Sequence, residues 1–269
     1  MSVKLVISDV DGTIVGTDKS VTDSTIAAAG RLQEAGIPLA IVSARPPRGM
    51  QYIQQTLKLS GPLGGFNGGR ILSPDGRVLE EHPVPEAAAR TALGLFKARG
   101  LTVFVFSGDE WLISDGAGAH VEHERRTVRF DPTVVGSFEP YLDRVLKMVG
   151  VSDDEPFLAG IETELQTLLH GSANAKRSQT YYLDLTAQDA NKGSAVRMLA
   201  HAQGVGLDDV AVIGDMLNDV PMFEVAGFSV AMGNASDEVK GLATASVPSS
   251  NDHGGWAEAI DTLILPRTK

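Results

Sequence analysis

A short apolar run that stops at an acidic pentapeptide constrains this chain more than any other feature. Residues 4–8, Lys4-Leu5-Val6-Ile7-Ser8, lead straight into Asp9-Val10-Asp11-Gly12-Thr13. An unbroken apolar run of this length reads as a strand buried on both faces, and such strands belong to parallel sheets. A parallel sheet needs crossover helices, and the chain supplies them. Residues 22–35 have helical spacing, with Ile26, Ala29, Leu32 and Ala35 on a shared side, Thr22 as cap and Gly36 as terminator. Residues 37–42 form a second buried strand, and helix follows around 48–57. The rhythm returns near the other end: helix over 192–202, strand over 210–213 ending at Gly214-Asp215, helix over 218–225, strand over 228–232 and a closing helix over 257–263. The two ends therefore predict halves of one α/β domain, a doubly wound parallel sheet.

The middle of the chain reads differently. Residues 70–73 and 77–80 flank Pro74-Asp75-Gly76, a hairpin signal. Helix is expected over 85–99, strands over 101–106 and 110–114, and helix over 139–149. Strands are expected over 157–161 and 180–185, with helix over 162–169 between them. This pattern predicts an α+β domain over 82–190, inserted into a first domain made of 1–81 and 191–269. His120 and His123 stand close in sequence, but no cysteine or further paired histidine supports a metal site there, so 120–124 reads as solvated polar chain.

Composition narrows the partners. The 269 residues carry a formal net charge of -11, which repels nucleic-acid backbones at long range. A phosphorylated ligand would have to find positive charge locally. With no cysteine, disulfides and thiolate chemistry are excluded. No apolar stretch approaches the ~20 residues of a membrane helix, and the first apolar run is broken too early for a signal peptide. The expectation is a cytoplasmic protein with no nucleic-acid or membrane partner. Asn234-Ala235-Ser236 matches a glycosylation pattern that this setting would leave unused.

Four features carry chemistry. Asp9 and Asp11, two apart after a strand, can point the same way. Two carboxylates about 5 Å apart repel by about 3 kcal/mol at an effective dielectric of about 20, so the pair implies a cation or a shared proton. Asp215 and Asp219 follow another apolar strand and are four apart, on one side of a helical turn. Alone, Asp215 would pass for an N-cap. Ser43 ends the second strand, where a hydroxyl and the following backbone N–H groups can hold phosphate oxygens. Lys192 stands where the chain returns from the inserted segment to the first domain.

In this order, Asp9-Val10-Asp11-Gly12-Thr13, Ser43, Lys192 and Gly214-Asp215-Met216-Leu217-Asn218-Asp219 resemble the four motifs of the haloacid dehalogenase superfamily. The gap from Ser43 to Lys192 resembles the branch with a large α/β cap between the second and third motifs. Phe66-Asn67-Gly68-Gly69 and Asn251-Asp252-His253-Gly254-Gly255 resemble segments of its Cof-type sugar-phosphate phosphatases. Ala44, where that group often has Gly, and the bulky Met216-Leu217 pair depart from the pattern. The resemblance implies a Rossmann-like core with an inserted cap, and a phosphatase acting on a small phosphorylated metabolite. It implies Asp9 as nucleophile and Asp11 as general acid/base. It implies Mg2+ held by Asp9, Asp215 and the Asp11 carbonyl, with Asp219 supporting from behind. Ser43, Ala44, Lys192 and Asn218 would bind phosphate, and Arg45 is a candidate contact to substrate or cap. A phosphomutase on the same fold, a receiver-like phosphorylated module and a non-catalytic sugar-phosphate sensor stay open as alternatives, as does monomer against homodimer.

Overall fold

A computed structural model describes residues 2–268. The chain forms two compact units, one of residues 1–80 and 191–269, the other of 81–190.

The first unit opens with β1 (Leu5–Ser8), α1 (Asp23–Glu34), β2 (Leu39–Val42), α2 (Gln51–Leu57), β3 (Leu63–Gly65), β4 (Arg70–Leu72) and β5 (Val78–Glu81). The Thr22 hydroxyl caps α1 by accepting from the Thr25 N–H. After the insertion come α6 (Lys192–Ala202), β12 (Val210–Gly214), α7 (Val220–Val225), β13 (Phe228–Ala231), α8 (Asp237–Leu242), β14 (Ala245–Ser246) and α9 (Gly255–Glu258). The sheet order is β14-β13-β12-β1-β2-β3-β4-β5. Pairing is parallel from β14 to β3, and β4 returns antiparallel to β3.

Both faces of this sheet are covered, which explains the unbroken apolar strands. Val6, Ile41 and Ile213 join α1, α2 and α9 residues such as Leu32, Ile53 and Trp256 in one core. Their neighbours Leu5, Ile7, Val42 and Val212 join Leu199, Met222 and Val239, from α6, α7 and α8, in another. Successive strand residues thus feed opposite cores, as the two-residue period of a strand requires.

The second unit contains α3 (Glu86–Ala98), β6 (Thr102–Ser107), β7 (Glu110–Ile113), α4 (Val121–Val128), β8 (Thr133–Val134), β9 (Val145–Val151), α5 (Glu155–Leu169), β10 (Ala173–Gln179) and β11 (Tyr182–Ala187). Its sheet runs β10-β11-β9-β6-β7-β8. One sheet face, through Val105, Leu112, Met148 and Leu185, forms a core with Phe96 of α3 and Leu165 of α5.

Several sequence expectations fail in this unit. The helix expected over 139–149 is a 3-10 turn, Glu139–Arg144, followed by the fully buried strand β9. The strand expected over 157–161 lies in the first half of α5, whose Asp154 cap accepts from the Phe157 N–H. Residues 120–124 are no solvated chain. They start α4, with Val121 and Glu124 buried, and the Tyr182 hydroxyl donates to Glu124 at 3.2 Å. The His120 ring stacks on Tyr181 at 4.3 Å and its Nε2 lies 2.6 Å from Asp153. In the first unit, the helix expected over 218–225 is a 3-10 turn, Leu217–Asp219, leading into α7.

Candidate active site

The carboxyl ends of β1, β2 and β12 meet at one edge of the first unit. Register puts Ser8 between Ile41 and Ile213, so Asp9, Ser43 and Asp215 leave neighbouring strands at nearly one level. Ligand sites in open α/β sheets form at such an edge. The Asp9 N–H still donates to the Ile213 carbonyl, and the Ser43 N–H to that of Gly64, which fixes both backbones.

Lys192, at the start of α6, reaches into this edge. Its Nζ lies 2.5 Å from Asp9 Oδ1 and also donates to Asp219 Oδ1. The three side chains are 1%, 5% and 0% exposed. The other Asp219 oxygen accepts from the backbone N–H groups of Asp215 and Met216, at 2.8 and 2.9 Å. Both Asp219 oxygens are therefore committed. Asp215 accepts from the Thr13 hydroxyl at 2.9 Å and from Asn234 Nδ2 at 3.1 Å. Burial pushes the Asp9 carboxyl well above its ordinary range, against the pull of Lys192 and helped by Asp219 and Asp215. Burial and the Asp219 charge raise Asp215 to about 6, against the Thr13 hydrogen bond. Burial works against the Lys192 ammonium, but Asp219 and Asp9 outweigh it and hold its pKa above the usual lysine value.

Asp9, Asp215 and Asp219 offer carboxylate oxygens all within 4.8 Å of one another, the one such group among the described residues. This cluster can hold a metal ion. With Asp219 committed, Asp9 and Asp215 are the available donors. An all-oxygen set suits a hard cation, and binding one would offset the burial, and the mutual repulsion added to it, that raise both carboxyls. Gly12 makes the approach close: its φ is +81°, and a Cβ there would lie 2.3 Å from Asp215 Oδ2.

Asp11 is held differently. Arg45 donates to both of its oxygens, at 2.7 and 2.6 Å, and Lys19 Nζ lies 2.8 Å from Oδ1. Burial would raise this carboxyl, but the Arg45 hydrogen bonds and charge, with Lys19, outweigh it and bring it to about 2. Arg45 is buried and also donates to the Tyr52 hydroxyl. Ser43 is buried, and its hydroxyl oxygen accepts from the Arg45 N–H at 3.2 Å, leaving its proton to donate. Ala44 is half-buried, and Asn218 is exposed in the turn before Asp219.

Some residues here carried no role in the sequence reading. Asn234, past the end of β13, donates to the Gly12 carbonyl as well as to Asp215, and its Oδ1 accepts from the Asn251 N–H. Asp252 accepts from the Thr17 N–H and hydroxyl at 2.7 and 2.6 Å. Asn251 Nδ2 donates to the Val15 carbonyl, so the late loop anchors the segment after Asp11. Position past a parallel strand was the available signal for Asn234.

Residues 6–260 match the family model of the haloacid dehalogenase-like hydrolases. The chain belongs to that family, with the α/β fold that its motifs imply. A haloacid dehalogenase-like hydrolase from Bacteroides thetaiotaomicron has a similar structure, with a TM-score of 0.90 at 29% identity over 97% of this chain and 99% of the other. An HMP-PP phosphatase of Escherichia fergusonii is 27% identical over 88% of this chain and 86% of its own. A pyridoxal phosphate phosphatase of Escherichia coli K12 is 26% identical over 90% of this chain and 92% of its own. Among the described residues, no helix is long and apolar enough to cross a membrane.

Proposed function

We propose that this hydrolase is a magnesium-dependent phosphatase that cleaves small phosphate monoesters, sugar phosphates foremost, through an aspartyl-phosphate on Asp9. The observation that carries this reading is the Asp9 carboxylate. Lys192 occupies Oδ1, while no described residue hydrogen-bonds Oδ2, the oxygen left to attack phosphorus. As the Asp9–phosphorus bond forms, the bond to the leaving oxygen breaks, and that oxygen takes a proton from Asp11. Water then attacks phosphorus, Asp11 accepts its proton, and phosphate departs with Asp9 restored.

Asp11 is ionised while Arg45 and Lys19 hold it. It is therefore set as a base, and the acid role requires Asp11 first to take up a proton from solvent as the arriving substrate displaces part of that clamp. Ser43, Ala44, Lys192 and Asn218 are the proposed phosphoryl contacts, with the Lys192 ammonium opposing charge that develops on the transferring oxygens. Asp9, Asp215 and the Asp11 carbonyl would hold Mg2+, which supplies positive charge against the repulsion between carboxylate and phosphate dianion. Asp219 fixes Lys192 from behind. Residues 82–190 serve as the substrate-selecting cap. The names of the phosphatases described above support a small phosphorylated metabolite as substrate. The proposed setting is the cytoplasm, as monomer or homodimer.

The test is phosphate release from sugar phosphates, nucleotides, phosphoglycolate and an aryl phosphate, with magnesium, with chelator, and with Asp9→Asn. Release that needs magnesium and is lost in Asp9→Asn supports the reading. A folded protein that binds magnesium yet releases no phosphate from any compound overturns it.

A further inference from the structure

The eight-stranded sheet of the first unit ends at β5 on one side and at β14 on the other. An open strand edge is a template for pairing with another chain, and proteins blunt it by shortening the strand or placing lysine or proline on it. β14 has two residues. In the second unit, edge strand β8 also has two, and edge strand β10 carries Lys176 and Arg177. β5 is different: it has four residues, Val78-Leu79-Glu80-Glu81, without lysine or proline. All four are exposed, Val78 by 47% and Leu79 by 45%. Successive strand residues point to opposite faces, so neither face of β5 is covered in a way that would bar a second strand from lying alongside.

The sequence of this edge is complementary to itself. The turn before β5 sets the phase of its backbone. The N–H of Gly76, at φ +84°, donates to the Ser73 carbonyl, and the Ser73 N–H donates to the Arg77 carbonyl. Arg77 thus opposes Ser73 as a hydrogen-bonded pair. Such pairs recur at every second residue of an antiparallel ladder. Leu79 and Glu81 therefore turn their backbone groups toward β4, while Val78 and Glu80 turn theirs outward. Two copies related by a two-fold axis would pair antiparallel, with one residue of β5 opposite itself. With Leu79 on the axis, Val78 meets Glu80 of the other copy through outward backbone groups. Arg77 then meets Glu81 of the other copy, once on each side of the axis. Moving the axis to Glu80 sets that residue against its own charge, and moving it to Val78 sets Asp75 against Glu81. Charge therefore selects one register. In it, Leu79 faces its own copy at a non-hydrogen-bonded position, where opposed Cα atoms come within about 4.5 Å.

We propose that β5 is a docking edge for a second copy of this chain, which joins two sheets through an antiparallel β5–β5 ladder centred on Leu79. The proposal does not depend on the phosphatase reading. Arg77 contacts Asp75 at 2.9 Å, but both side chains are largely exposed and such a pair holds weakly, so Arg77 can turn to the other copy. A ladder over 77–81 is far smaller than the roughly 20–30 residues a side of a standard interface. The dimer is therefore weak and depends on concentration.

Sedimentation velocity of the full chain, from about 1 μM to about 1 mM, measures the association. The expected result is monomer at the low end and dimer at the high end. Leu79→Lys places two ammonium groups on the axis and should leave monomer at every concentration. Arg77→Glu and Glu81→Arg each set like charges opposite on both sides of the axis, and the dissociation constant should rise about tenfold or more. Mixed in equal amounts, these two variants should associate again, because each copy then meets opposite charge at both places. The three side chains are exposed, and circular dichroism checks that each variant is folded. Parent protein that stays monomeric throughout, a dimer unchanged by Leu79→Lys, or a mixture that associates no better than either variant alone overturns the proposal.

Discussion

The Arg45 guanidinium holds both carboxylate oxygens of Asp11, across 34 positions of sequence. This fork-to-fork geometry is one that a lysine cannot reproduce. Removing it leaves burial, which favours the neutral acid, opposed by Lys19 without the larger Arg45 contribution. In Arg45→Met the Asp11 carboxyl should titrate well above about 2, followed by carbon NMR of labelled aspartate. The linkage sign is that of a depressed carboxyl: its stabilisation is present above the ordinary aspartate pKa and is lost as pH falls towards about 2. Acid unfolding of Arg45→Met should therefore show less pH dependence in that window.

Asp9→Asn keeps the side-chain shape and one hydrogen-bond acceptor for Lys192, but removes the proposed nucleophile. Phosphate release should fall by about three orders of magnitude or more, with circular dichroism unchanged. Folded Asp9→Asn protein with full activity would contradict the covalent route.

Lys192 is the sole cation hydrogen-bonded to Asp9 and Asp219 among the described residues. Lys192→Met strands two buried carboxylates. Urea unfolding without metal should show a loss of about 3–5 kcal/mol. Added magnesium should recover part of that loss by restoring positive charge.

Cation binding must displace the proton that Asp215 holds up to about pH 6. The raised carboxyl favours the metal-free fold at low pH, and this contribution is lost as pH rises from the ordinary aspartate pKa through about 6. The rise in Tm on adding magnesium should thus be larger at about pH 7.5 than at about pH 5. A chelator should abolish both the shift and the activity.

Gly12→Ala tests the backbone of the site. A residue with Cβ in left-handed backbone costs about 1–2 kcal/mol, and here the Cβ would meet Asp215 Oδ2. Magnesium affinity by calorimetry should weaken along with thermal stability.

The core sheet was readable because its strands are buried on both faces, which leaves unbroken runs such as 210–213. The same burial misled in the second unit. Leu142, Val145, Leu146 and Val149 fall at helical spacing, yet β9 is a strand buried at every position, Lys147 included, so it lacks the alternation that marks a half-exposed strand. In α5 the short run 157–161 hid the wider pattern of Leu158, Ile161, Leu165 and Leu169. β10 alternates buried and exposed residues only in part and is too polar to stand out. At the candidate site, the acidic pairs were visible because each ends a strand. The Arg45–Asp11 clamp and the burial of Lys192 were not, because each depends on partners far away in sequence.

The placing of β1 between β2 and β12 has a consequence for how the chain is made. β1 leaves the ribosome first, but the strand that closes its other edge follows roughly 200 residues later. At about 5–20 residues per second that interval lasts about 10–40 s. Through it, the strand leading to Asp9 has an open edge, and residues 81–190 are complete before their host sheet can close. The growing chain thus makes the strand that leads to Asp9 wait for β12, and a product cut short before β12 would lack both the closing strand and Asp215.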